Sequence, residues 1–119
     1  YMSDVITVVK GQTTVFSDDI REKIELKDVF KSVRFLLEHE IRKNNIELEI
    51  KNYVENDIKI EGNSNILVQI LANLVQNSID SYEDIAKNDK NRKIIIESAY
   101  DKSKKNIIIY VEDFGVRNI

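Results

Sequence analysis

Apolar and polar positions along the chain change period several times, and each change predicts an element. Met2, Ile6, Val9, Thr13 and Phe16 recur at alternating steps of 4 and 3, the spacing of a helix seam that packs on another helix. The polar stretch Ser17-Asp18-Asp19 breaks the pattern and reads as a linker. A second helix is predicted from about Lys27 to Lys43, with Leu26, Val29, Phe30, Val33, Leu36, Leu37 and Ile41 on one face. Asp28 lies near its positive end, and Asn44-Asn45 ends it.

Ile46-Glu47-Leu48-Glu49-Ile50-Lys51 then alternates apolar and charged with period two, as a strand with one wet face does. Ile58-Lys59-Ile60-Glu61 repeats the alternation, and Gly62-Asn63-Ser64 supplies a turn and a capping side chain. The most apolar segment is a long helix from about Asn65 to Lys87. Two Ile-rich strands, about Lys93 to Tyr100 and Asn106 to Glu112, flank the polar turn Asp101 to Lys105 and read as a hairpin. The order helix, helix, strand, strand, helix, strand, strand predicts an α+β fold, helices on one face of a mostly antiparallel sheet.

Composition narrows the function classes. A chain of 119 residues, 42% hydrophobic and 33% charged, has room for one small domain and enough apolar material for a core. Its charge of −3, with both signs interspersed, argues against a nucleic-acid or anionic-membrane binder. No apolar run reaches the roughly 18 residues of a membrane span, and the start lacks the flanks of a signal peptide. Without Cys there are no disulfides, thiolate metal sites or Cys nucleophiles.

Two groups of residues could carry chemistry. Asn73 and Asn77 share a face of the long helix, and Asp80 and Asp84 continue the stripe, with Leu67, Leu71, Leu74 and Ile85 to one side. This is either the solvated face of an amphipathic helix or a cation site in which a carboxamide oxygen serves as a hard, neutral ligand for Mg²⁺. Thirty-six residues after Asn77, the strand Ile107 to Glu112 runs into Asp113-Phe114-Gly115. A carboxylate there can accept from an exocyclic amine, and the glycine lets the backbone approach a planar ligand.

The segment Asn65 to Ser81, with Asn73-Leu74-Val75-Gln76-Asn77 at its centre, resembles the N box of sensor histidine kinases, and Val111-Glu112-Asp113-Phe114-Gly115 resembles their first glycine box, D-x-G-x-G. The resemblance covers about Glu22 to Gly115. It implies a two-layer α/β sandwich of the Bergerat-type histidine kinase ATPase fold, incomplete at the C-terminus. Residues 1–17 would be the end of the dimerisation helix, 18–26 a linker and 27–119 a partial ATP-binding domain. The implied cofactors are ATP and Mg²⁺: Asn77 would ligate the metal, Asn73 would lie beside the triphosphate, Asp113 would accept from the adenine amine and Gly115 would line the base pocket. Gyrase, MutL and Hsp90-like ATPases place a Glu four residues before the metal-ligating Asn; Asn73 holds that place here and cannot act as a base. That favours the histidine kinase branch, whose nucleophile is a His from another domain.

The resemblance also implies a cytoplasmic location, a response regulator as the parent protein's partner and self-association as a dimer or higher oligomer. The Ile94-Ile95-Ile96 and Ile107-Ile108-Ile109 strands and the first helical seam are the surfaces expected to self-associate. No catalytic residue is assigned. His39, the single histidine, sits in Glu38-His39-Glu40, similar to the phosphoacceptor signature H-E-x-x-x-P, but Asn44 holds the proline position and only 38 residues separate His39 from Asn77. It reads as a helix-edge side chain, and Lys102, Lys104 and Lys105 read as a solvated turn. After Gly115 the family pattern continues with a glycine, a lid and a second glycine box, where this sequence has Val116-Arg117-Asn118-Ile119. The expectation is therefore a parent histidine kinase whose ATP-binding region is present here without autokinase activity; the alternative is a non-catalytic interaction module that keeps the fold without nucleotide.

Overall fold

The computed structural model describes residues 2–9, for the backbone alone, and residues 22–55, 58, 60–83 and 92–114. The elements in chain order are β1 (Met2–Val9), β2 (Glu22–Ile24), α1 (Leu26–Lys43), β3 (Glu47–Asn52), β4 (Ile60–Gly62), α2 (Ser64–Asp80), β5 (Lys93–Asp101) and β6 (Asn106–Asp113). β1, β6, β5 and β3 form a mixed four-stranded sheet in that order, and β2 pairs with β4 in a small antiparallel sheet.

Periodicity explains most of this. α1 buries Leu26, Val29, Phe30, Val33 and Ile41 and carries Asp28 in its first turn and Arg42 and Lys43 in its last, complementing the helix dipole. The side-chain Nδ2 of Asn44 donates to Glu40 O at 2.7 Å, and Asn45 turns the chain with a φ of 53°, a left-handed conformation that Asn tolerates. Leu36, expected on the apolar face, is 60% exposed instead, and Phe35 beside it is 79% exposed. α2 begins where Asn63 Oδ1 accepts from Asn65 N and Ile66 N, at 3.0 and 3.4 Å, as an N-cap does. Glu22 adds a second cap, its carboxylate accepting from the amide and hydroxyl of Ser64 at 2.9 and 2.6 Å.

β5 and β6 form the expected antiparallel hairpin, its turn held by Asp101 Oδ1, which accepts from the Ser103 and Lys104 amides and the Ser103 hydroxyl. β3 pairs with β5 in parallel, the chain crossing between them through β4 and α2. The helices cover one face. Ile94 and Ile96 of β5 and Ile107, Ile109 and Val111 of β6 are fully buried with Leu67, Leu71, Val75 and Val33. The alternate residues Ile95, Glu97, Ile108 and Tyr110 are half-buried on the other face.

Three expectations are corrected. Residues 2–9 of the helix expected over 2–16 form strand β1, which pairs antiparallel with β6 from Met2↔Asp113 to Val9↔Asn106; the rest of that stretch lies outside the described residues. The physical reason is the run Val5-Ile6-Thr7-Val8-Val9, β-branched throughout: such side chains are stiff in a helix and suit a pleated sheet. The segment 18–26, read as a linker, contains β2, which caps α2. The Ile94-Ile95-Ile96 and Ile107-Ile108-Ile109 strands, expected to self-associate through strand edges or apolar faces, offer no edge, since β5 lies between β3 and β6 and β6 between β5 and β1; the edges of the sheet are β1 and β3.

Candidate functional site

Asp113 is the last residue of β6, and strand parity decides where it goes. Ile107, Ile109, Val111 and Asp113 alternate onto the face under the helices, so a carboxylate ends a row of apolar residues and is fully buried. Such a group needs hydrogen bonds to offset its lost hydration. α2 supplies one: the Ser81 hydroxyl, 3.2 Å from Asp113 Oδ1, shares its proton between that oxygen and Ser78 O at 2.6 Å. Ser81 caps the C-terminus of α2, its own amide donating to Asn77 O at 3.1 Å. One helical turn therefore separates Asn77 from the residue that touches Asp113.

Asn73 and Asn77 are exposed, as is Asp80, whose carboxylate accepts from the Gln76 amide at 2.9 Å. The stripe read from the sequence is thus a solvent-facing stripe on α2, with Leu67, Leu71, Val75 and Ile79 buried on the opposite side. Asn77 stands one helical turn before Ser81, which touches Asp113, and Asn73 a turn before that. Gly115, Asp84 and Ile85 lie outside the described residues. Among the described residues no cluster of three or more His, Asp, Glu or Cys could hold a metal. Asn77 presents one carboxamide oxygen on an exposed surface, a hard neutral donor of the oxygen type that Mg²⁺ takes beside water and substrate phosphates.

Sequence reasoning missed Tyr82 and Arg92. Tyr82 is fully buried, and its hydroxyl accepts from Phe114 N at 2.9 Å and Lys93 N at 3.2 Å while donating to Lys93 O. Burial above all pushes the Tyr82 phenol up from its ordinary pKa, as the nearby Asp113 carboxylate does in lesser degree, so it stays protonated. Arg92, 4% exposed, donates from Nη1 to Tyr82 O at 2.8 Å and from Nε to Asn44 O at 3.0 Å, with its guanidinium 5.4 Å from the Tyr82 ring centre. One signal for Tyr82 was available, since Val75, Ile79 and Tyr82 continue the apolar row of α2 at steps of 4 and 3. Arg92 gave none.

The remaining candidates separate from this end. His39 is exposed on α1, and Lys102, Lys104 and Lys105 are exposed in the β5–β6 turn. A cleft of about 200 Å³ lined by Glu22, Asp28 and Ser64, and a shallow apolar depression of about 410 Å³ lined by Phe35, Leu36 and Val68, lie along the first half of α2. Neither is lined by Asn73, Asn77 or Asp113. No helix among the described residues is long and apolar enough to cross a membrane.

No family model and no curated protein matches the sequence. Solved structures are similar to it in fold. The catalytic domain of histidine kinase ThkA, in a nucleotide-free form, is 16% identical with a TM-score of 0.56, over 83% of this chain and 99% of that one. The cytoplasmic segment of histidine kinase QseC is 11% identical with a TM-score of 0.56, over 87% and 83% of the two chains. The Acinetobacter baumannii histidine kinase AdeS is 12% identical with a TM-score of 0.51, over 83% of this chain and 68% of its own. At these identities the likeness is one of backbone, and on it the chain has the mixed α/β fold of histidine kinase catalytic domains.

Proposed function

We propose that the chain is the ATP-binding region of a two-component sensor histidine kinase. The observation that supports this most is the fully buried Asp113 at the end of an interior strand, joined through Ser81 to the last turn of a helix with Asn73 and Asn77 on its exposed face. In this reading the Asp113 carboxylate accepts from the exocyclic amine of adenine, and Gly115 lies against the base. The Asn77 carboxamide oxygen holds Mg²⁺, with Asn73 beside the triphosphate. When bound, the metal supplies charge neutralisation to the phosphates. Transfer of the γ-phosphoryl group would then go to a His of another domain, because His39 is exposed on α1 and lacks the phosphoacceptor context. A second copy of the chain and a response regulator are the partners this reading implies.

Calorimetry with Mg-ATP tests it. Wild type should bind, and Asp113→Asn, which turns one acceptor oxygen into a donor, should weaken binding about tenfold or more, the value of a charge-assisted hydrogen bond. Binding that ignores both Asp113→Asn and Asn77→Ala would place the nucleotide elsewhere. A second reading, a non-catalytic interaction module, draws support from the exposed Phe35 and Leu36 beside the apolar depression. A folded chain that binds no nucleotide would favour it.

A further inference from the structure

The ladder between β5 and β6 ends at Ile94↔Asp113, so the next pair in register would be Lys93 with Phe114. The Tyr82 hydroxyl receives the N–H of both residues, from Phe114 at 2.9 Å and from Lys93 at 3.2 Å, and donates to Lys93 O. A phenol has one proton to give and two lone pairs to fill, so the hydroxyl is used to capacity. It stands where the ladder would continue and closes the hairpin one residue after Asp113. Phe114, 39% exposed, follows the last residue of β6.

The placement has a geometric consequence for Asp113. Its backbone is held on one side by the Ile94 pairing and on the other by the fixed Phe114 amide, and Ser81 Oγ touches its carboxylate from above. Tyr82 is itself fixed by Arg92, which binds its carbonyl and lies against its ring. We propose that Tyr82, with Ser81, is a positioning residue for base recognition: its hydroxyl wedges the end of the β5–β6 hairpin and so sets the direction in which the Asp113 carboxylate meets an adenine amine. The inference rests on the nucleotide reading above and adds to it residues that need not touch the ligand.

The test is Tyr82→Phe, which keeps the ring and removes the wedge, read by amide exchange and by the affinities of ATP and of purine riboside triphosphate, which lacks the exocyclic amine. Amide exchange at Phe114 and Lys93 should quicken about tenfold, since both N–H groups lose their bond to the Tyr82 hydroxyl. ATP should bind about fivefold more weakly, while the affinity of the amine-free analogue stays unchanged and the effect vanishes in an Asp113→Asn background. Equal losses for the two nucleotides, or no loss for either, would overturn the positioning role, because a merely structural residue does not distinguish them. Should Tyr82→Phe fail to fold, Ser81→Ala must give the same base-dependent loss, about threefold, or the proposal fails. Wild-type chain that binds no ATP, or binds it regardless of Asp113→Asn, overturns the nucleotide reading itself and the inference with it.

Discussion

Arg92→Met should destabilise the fold substantially, by a mechanism distinct from core packing. The guanidinium is 4% exposed and donates to Tyr82 O at 2.8 Å and to Asn44 O through both Nε, at 3.0 Å, and Nη2. Asn44 is the C-cap of α1, where helix carbonyls lack intrahelical partners; Tyr82 follows the end of α2. Arg92 thus fastens both helix ends to the start of β5. Methionine keeps much of the stem volume and removes every donor. Each carbonyl loses a charge-assisted bond of about 1.5 to 3 kcal/mol, and the guanidinium's relieved desolvation returns part of the sum. A net loss of about 2 to 4 kcal/mol is expected, a large share of the roughly 5 to 15 that a domain possesses. Urea denaturation followed by far-UV circular dichroism should show a lower midpoint with an unchanged slope. Thermal unfolding should fall by about 8 to 16 °C, at roughly 4 °C per kcal/mol. Arg92→Lys should recover less than half, because one ammonium cannot reproduce the fork that serves both carbonyls. A loss below about 1 kcal/mol for Arg92→Met would refute the fastening argument.

Three further outcomes are expected. Glu22→Gln should flatten the acid limb of the stability profile: bonds from the Ser64 hydroxyl and amide hold the Glu22 carboxyl below its ordinary value of 4.5, so its contribution is present above that pH and disappears as pH falls through the lower folded value. A limb of unchanged slope would remove Glu22 from the capping of α2. Leu71→Ala, at a fully buried position, should cost about 3 to 5 kcal/mol in urea denaturation, and a cost under 1 would mean α2 does not form the centre of the core. Incubation with labelled ATP should leave the chain unlabelled, and stoichiometric label on His39 would overturn its reading as a helix-edge residue.

The hairpin, both helices and the alternating β3 were legible because each carries its own period within a single segment. β1 is ambiguous in sequence because two periods coexist in it. Met2, Ile6 and Val9 satisfy a helical seam, while Val5 to Val9 is a continuous β-branched run, and only the free side of β6 decides between them. β2 has three residues and no period at all; its meaning lies in Glu22 reaching Ser64, 42 positions away.

The candidate site divides along the same line. That Asp113 would be buried follows from counting alternate residues back to Ile107, a local argument that needs no partner. That the carboxylate is held from α2, that a phenol ends the ladder beside it and that a buried guanidinium anchors that phenol are relations between residues 10 to 48 positions apart. Periodicity has no access to them, because a hydrogen-bonding side chain at the end of a helix has the same one-letter code whether it faces water or a neighbouring strand. The sequence therefore names the group that would touch a base, and only the packed structure supplies the residues that would aim it. In the nucleotide reading proposed above, aim is what separates a bound adenine from a buried carboxylate with no ligand, so Ser81, Tyr82 and Arg92 are the residues whose replacement would weaken that binding with the Asn stripe and Asp113 intact.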